Sequence, residues 1–216
     1  MGRLLGPANY GILGTLLTMI YIINVPINVI QTTITKFVSD FRALKEENKI
    51  NTLLRGSMKR GILWGSTLMI LLLFSSPLIA HFLHMSILNI VIISPIIVSA
   101  FLLPILRGVL QGTQKFTGLG VNLLAEIIIK LGAGILLVYF GYKVYGAIFA
   151  IVLSFICSIF LGIFQTKRYT EKKESGKLDN HQIYKYTYPV LFSLSLLYLL
   201  FTLDVFLVKH FFDEIS

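Results

Sequence analysis

Rows of polar residues stand inside otherwise apolar stretches of this chain, and their spacing places each row on one side of a helix. Asn24, Asn28, Gln31 and Thr35 recur at intervals of four, three and four, the offsets that bring side chains onto a common face. Neutral amides and a hydroxyl at membrane depth have two uses. They line a cavity for a polar substrate, or they hydrogen-bond one helix to another. Pro26 lies within this row and removes a backbone donor, which predicts a kink. Asn122, Glu126 and Lys130 form a second row, four apart. Glu126 precedes Lys130 at i, i+4, the favourable order for an ion pair. Each ionisable group near mid-span costs about 2.5–3.5 kcal/mol on insertion scales, so the pair either neutralises itself or marks a substrate or ion pathway.

Arg107, Gln111 and Gln114 make a third polar row. Arg107 is placed either to meet a phosphate at a cavity mouth or to snorkel toward the interface. Asp204 is a lone carboxylate in the last apolar stretch, followed by Lys209 and His210. Ser154, Ser158 and Gln165 give another stretch a weak polar side. His81 and His84 are three apart, but no carboxylate or cysteine stands near them, so no metal site is assigned. No phosphate-binding glycine loop, zinc-protease helix or nucleophile elbow is present. The expectation is therefore a non-enzyme without a cofactor.

These rows need long apolar helices to carry them. The 216 residues are 56% hydrophobic and 13% charged, with a mean hydropathy of +0.81. A soluble domain carries about 25% charged residues. Here the charges collect in short blocks between apolar runs, which is how a bilayer sorts a sequence. A hydrocarbon core of about 30 Å takes about 20 helical residues to cross. Six segments reach that length: residues 10–36, 61–84, 86–110, 117–140, 144–166 and 186–212. They do not alternate apolar and polar residues, which excludes barrel strands. The expected fold is all-α, a polytopic membrane protein with six transmembrane helices. The net charge of +9 is explained by positive connections and does not call for nucleic acid. Cys157 lies inside an apolar stretch, and no cleavable signal is visible.

Sidedness follows from the cations. The first, third and fifth connections carry fifteen of the nineteen Lys and Arg residues, which places loops 37–60, 111–116 and 167–185 in the cytoplasm. The chain would then start outside, which suggests a further helix before it. Within the first connection Phe41, Leu44, Ile50, Leu53 and Leu54 interleave with charges, as in a short interfacial helix over residues 38–58. The fifth connection is polar and reads as a flexible loop between two groups of helices.

The segments Arg3-Leu4-Leu5-Gly6-Pro7-Ala8-Asn9-Tyr10-Gly11 and Gly108-Val109-Leu110-Gln111-Gly112 resemble known signatures. The first is similar to the R-x-L-G-P-x-x-Y-G pattern that follows helix one in polysaccharide flippases. These belong to the multidrug/oligosaccharidyl-lipid/polysaccharide exporter superfamily. The second resembles the G-x-x-Q-G turn after their helix four. Ala125-Glu126-Ile127-Ile128-Ile129-Lys130-Leu131, Tyr145-Gly146-Ala147 and Asp204-Val205-Phe206-Leu207 are similar to later helices of that family. The resemblance covers nearly the whole chain in order, and it equates the six segments with family helices two to seven. Its known orientation agrees with the cation count.

Family members have twelve to fourteen helices in two lobes around a central cavity. The resemblance thus implies a fragment: residues 1–168 as most of the N-terminal lobe, 169–185 as a cytoplasmic linker, and 186–216 as the start of the C-terminal lobe. It implies a multi-pass protein of the cytoplasmic membrane that flips or exports a lipid-linked oligosaccharide or polysaccharide precursor by alternating access. Asn24, Asn28, Gln31, Thr35, Arg107, Gln111, Asn122, Glu126 and Lys130 would line the cavity. Glu126 and Asp204 are the candidates for ion coupling. The partners implied are membrane lipid and the lipid-linked glycan, with glycan-assembly proteins as further candidates. The alternatives are an ion-coupled multidrug antiporter and a non-transporting membrane component of glycan assembly.

Overall fold

The computed structural model describes residues 24–82, 86–171, 176 and 178–211, with side chains described over 25–82, 86–169, 176 and 178–200. The described residues are almost wholly helical. In chain order the helices are α1 (Asn24–Ala43), α2 (Glu47–Phe82), α3 (Ile87–Ile93), α4 (Pro95–Gly112), α5 (Phe116–Leu137), α6 (Lys143–Glu171) and α7 (Asn180–Phe211). A short π-helical segment, Val138–Tyr142, joins α5 to α6. The turn there rests on backbone conformation: Gly141 has φ of 91° and Lys143 has φ of 47°. Glycine enters that region without steric cost, and the chain folds back on itself.

Neighbouring contacts give the directions. Gly61 and Gly65 of α2 lie against Leu102 and Val98 of α4, so these helices are antiparallel. Gly118 and Asn122 of α5 meet Gln165 and Ser158 of α6, again antiparallel. By contrast α1 and α4 run the same way, because Gly108 lies on Ile34 and Gly112 on Val38. The bundle therefore runs up and down, and the connections after α1, α4 and α6 fall at one end. These are the cation-rich connections of the sequence.

The seam between α1 and α4 is set by glycine. A Cβ added at Gly112 would lie 2.7 Å from the Thr35 carbonyl oxygen, and one at Gly108 would lie 2.9 Å from Ile34. Residues four apart without side chains let two membrane helices approach closely. Around this seam a buried cluster joins Ile34 and Val38 of α1, Ile50, Leu53 and Leu54 of α2, and Leu106 and Val109 of α4. A second cluster joins Ile93 and Ile96 to Val144, Ile148 and Val152.

The surface is apolar, unlike that of a water-soluble bundle. Phe74 on α2 is 82% exposed, and Ile128, Phe160 and Phe164 are exposed as well. On α5 the buried positions are Asn122, Glu126 and Gly134, with Asn122 at 0% exposure. Such a helix is favourable only where the surroundings are apolar. Three stretches are long and apolar enough to cross a bilayer among the described residues: Glu47–Phe82, Ile87–Gly112 and Phe116–Tyr169. The last is the α5–α6 hairpin. The first and sixth expected segments extend into residues outside the description, and the fourth and fifth fall together in the last stretch, so the described chain carries three such stretches where the sequence suggested six.

Other expectations change in detail. The first connection is far shorter than expected, because α1 continues to Ala43 and α2 begins at Glu47. No separate interfacial helix occupies residues 38–58. Ile50, Leu53 and Leu54 belong to the first turns of α2 and are buried on α1 and α4. No proline separates them from the span, and a single helix of 36 residues forms, about 54 Å long. The stretch 86–110 is broken at Ser94, whose hydroxyl bonds back to the Val91 carbonyl, and Pro95 starts the next helix. Pro26 stands in the first described turn of α1, and the upstream half of its expected kink lies outside the description. In the fifth connection, helix continues to Glu171. Asp179 accepts from the His181 and Gln182 amides at the start of α7, and the Gly176 amide donates to Thr52 on α2 at 3.0 Å.

Candidate functional site

The polar rows separate into two assemblies. In the first, α1 and α4 approach closely enough for short polar side chains to meet. Gln31 Nε2 donates to Gln111 Oε1 at 3.0 Å. The Thr35 hydroxyl lies 3.4 Å from both that oxygen and the Gly108 carbonyl. Gln111 thus works between the two glycines of the close approach. Asn28 donates to the Tyr198 hydroxyl on α7 at 2.9 Å. Asn28, Gln31, Thr35, Gln111 and Tyr186 border a cavity of about 350 Å³, together with Thr32 and Lys36. That volume falls within the common range for small-molecule sites, about 300–1,000 Å³. The wall is made of neutral donors and acceptors with one ammonium at the side, and Lys36 is itself paired with Asp40 at 2.8 Å.

In the second assembly, Arg107 reaches across to α5. Its Nε donates to Asn122 Oδ1 at 2.9 Å, and a terminal nitrogen meets Glu126 Oε2 at 2.6 Å. Lys130 approaches the other carboxylate oxygen at 3.4 Å. Asn122 passes the network on, donating to the Ser158 carbonyl of α6 at 2.8 Å. Gly162 leaves the room: a Cβ there would lie 3.0 Å from Leu106 and 3.5 Å from the Asn122 amide. A single carboxylate therefore serves two cations, and the chain Arg107–Asn122–Ser158 ties α4, α5 and α6 together. Glu126 is 8% exposed, so its charge is compensated by these partners rather than by solvent. The fork of the guanidinium holds an amide oxygen and a carboxylate at once, a geometry that an ammonium does not supply.

The structure thus divides the row Arg107, Gln111, Gln114. Arg107 turns to α5 and Gln111 to α1, while Gln114 lies beyond the end of α4 at Gly112 with φ of 56°. Arg107 is held by Glu126 and Asn122. Glu126 has its expected i, i+4 partner, but the shorter contact is with Arg107. The side chains of Asn24 and Asp204, and the whole of His84, lie outside the description, as does the Arg3–Gly11 segment. Sequence reasoning missed Tyr186 and Tyr198, the α7 contributions to the first assembly. An aromatic residue in an apolar helix carries no periodic signal that separates a cavity wall from an interfacial anchor.

No curated protein and no solved structure matches the chain. A family model does: the description "polysaccharide biosynthesis protein" matches residues 1–214. The match takes in every helix described above, together with the residues around Gly108 and Glu126 that resembled family signatures. This chain belongs to the polysaccharide biosynthesis protein family.

Proposed function

We propose that the protein is part of a transporter that moves a lipid-linked oligosaccharide or polysaccharide precursor across the cytoplasmic membrane by alternating access. The observation that carries this reading is the cavity of about 350 Å³ walled by the Asn28, Gln31 and Thr35 face of α1. Neutral amides and hydroxyls match sugar hydroxyls, which both donate and accept, and they bind without an ionic partner. The cavity lies where α1 meets α7. In the two-lobed reading, with six spans in the whole segment, this is the seam at which one lobe moves against the other. The wall is held by few hydrogen bonds, each worth about 1 kcal/mol net, so substrate hydroxyls can replace them. The cation-rich end of the bundle is the cytoplasmic end in this reading.

The test is export of a lipid-linked oligosaccharide by cells that depend on the full-length gene, comparing Gln31→Leu with the parent at matched membrane abundance. Export is expected to fall about fivefold to tenfold, the effect of one lost hydrogen bond of about 1–1.4 kcal/mol. Unchanged export would remove the α1 face from the transport path. Ion-driven efflux of cationic drugs with no glycan phenotype would favour the antiport reading instead.

A further inference from the structure

A second concavity lies apart from both assemblies, at the end of the bundle where the connections after α1, α4 and α6 converge. Its volume is about 560 Å³, and its lining comes from all three junctions: Arg42 and Lys45 from the α1–α2 corner, Lys115 from the α4–α5 corner, and Arg168 from the end of α6. The inner surface includes Ile50, Thr113 and Tyr169, all buried. Four cations face one carboxylate, Glu47, which lies 3.5 Å from Arg168. Lys115 sits over the Tyr169 ring at 5.1 Å. Arg42 and Lys45 have no ion-pair partner among the described residues.

Membrane topology accounts for the number of cations at this end, but it asks only for a count near the membrane. It does not ask that they surround a hollow. Like charges gathered from three separate junctions repel one another, and an anion between them relieves that repulsion. The backbone at the rim is strained. Both α1 and α4 end in a left-handed turn, with Lys45 at φ of 59° and Gln114 at φ of 56°. Closing bonds across five residues run from the Glu46 amide to the Phe41 carbonyl and from the Lys115 amide to the Leu110 carbonyl. This position usually favours glycine, and a side chain there costs about 1–2 kcal/mol. Both residues line the concavity.

We infer that this concavity binds a phosphate-bearing anion, with Arg42, Lys45 and Lys115 as its principal ligands. Basic pockets between membrane helices take phospholipid headgroups, and the same chemistry suits a soluble diphosphate. The inference does not rest on the transport reading, since the hollow shares no residue with the α1 cavity.

Two arms distinguish the sources, both using the purified chain in detergent. Equilibrium dialysis measures radiolabelled inorganic pyrophosphate. Native mass spectrometry compares dioctanoyl phosphatidylglycerol with dioctanoyl phosphatidylcholine. Binding of pyrophosphate, or of phosphatidylglycerol in preference to phosphatidylcholine, is expected, and the positive arm identifies the source. In the Arg42→Gln/Lys115→Gln variant that affinity should weaken roughly 25-fold, about fivefold per charge removed. If this variant does not fold, Lys45→Gln on the exposed rim should weaken binding about fivefold. The inference is overturned if neither anion binds above the phosphatidylcholine level, or if the charge substitutions leave binding unchanged.

Discussion

The polar row on α1 and the polar row on α5 each lie along one face of a helix, yet they end in different surroundings. On α1 the amides of Asn28 and Gln31 border a hollow and touch Tyr198 and Gln111. On α5 the charged and amide groups turn inward, and Arg107 closes over them. The difference is one of reversibility. Neutral hydrogen bonds exchange partners at a cost of about 1 kcal/mol each. Separating a buried ion pair by deleting one member costs about 3–5 kcal/mol. The first row is therefore the more readily exchanged, as the proposed transport reading requires, and the second ties three helices together.

Removing the carboxylate tests this contrast most severely. Glu126→Ala leaves the largely buried Arg107 without a counter-charge, and a loss of about 3–5 kcal/mol is expected. Denaturant unfolding in detergent, compared with the parent, measures it. A loss below about 1 kcal/mol would mean that the pair does not hold α4 to α5.

The neutral side is tested by wedging its seam rather than removing a bond. A side chain at Gly112 would collide with the Thr35 carbonyl and with Val38, both 2.7 Å from an added Cβ. Gly112→Leu should cost about 1–3 kcal/mol and should separate α1 from α4. Cross-linking of cysteines placed at Gln31 and Gln111 should then fall. Retained cross-linking with unchanged unfolding would break the claim that glycine sets this approach.

The smallest effect belongs to Lys130. Its side chain is 37% exposed and 3.4 Å from Glu126, so Lys130→Ala should cost less than about 1 kcal/mol. A larger loss, by the same unfolding measurement, would show that both cations share the carboxylate equally.

Sequence alone determined the helical class, the apolar stretches and the end of the bundle that carries the positive charge. Those follow from hydropathy and charge density, which act residue by residue along the chain. It also determined that Asn122, Glu126 and Lys130 share a face, because helical periodicity is local. Tertiary structure decided which partner each row meets. Arg107 lies fifteen residues from Asn122 and nineteen from Glu126, and no local rule chooses it over Lys130 as the closer partner. The continuous α2 was likewise decided in three dimensions, where Ile50, Leu53 and Leu54 found α1 and α4 to bury against. So was the gathering of Arg42, Lys45, Lys115 and Arg168 around one hollow. Charge counts say how many cations stand at an end, whereas the packing of the glycine-lined seams determines which of them face one another.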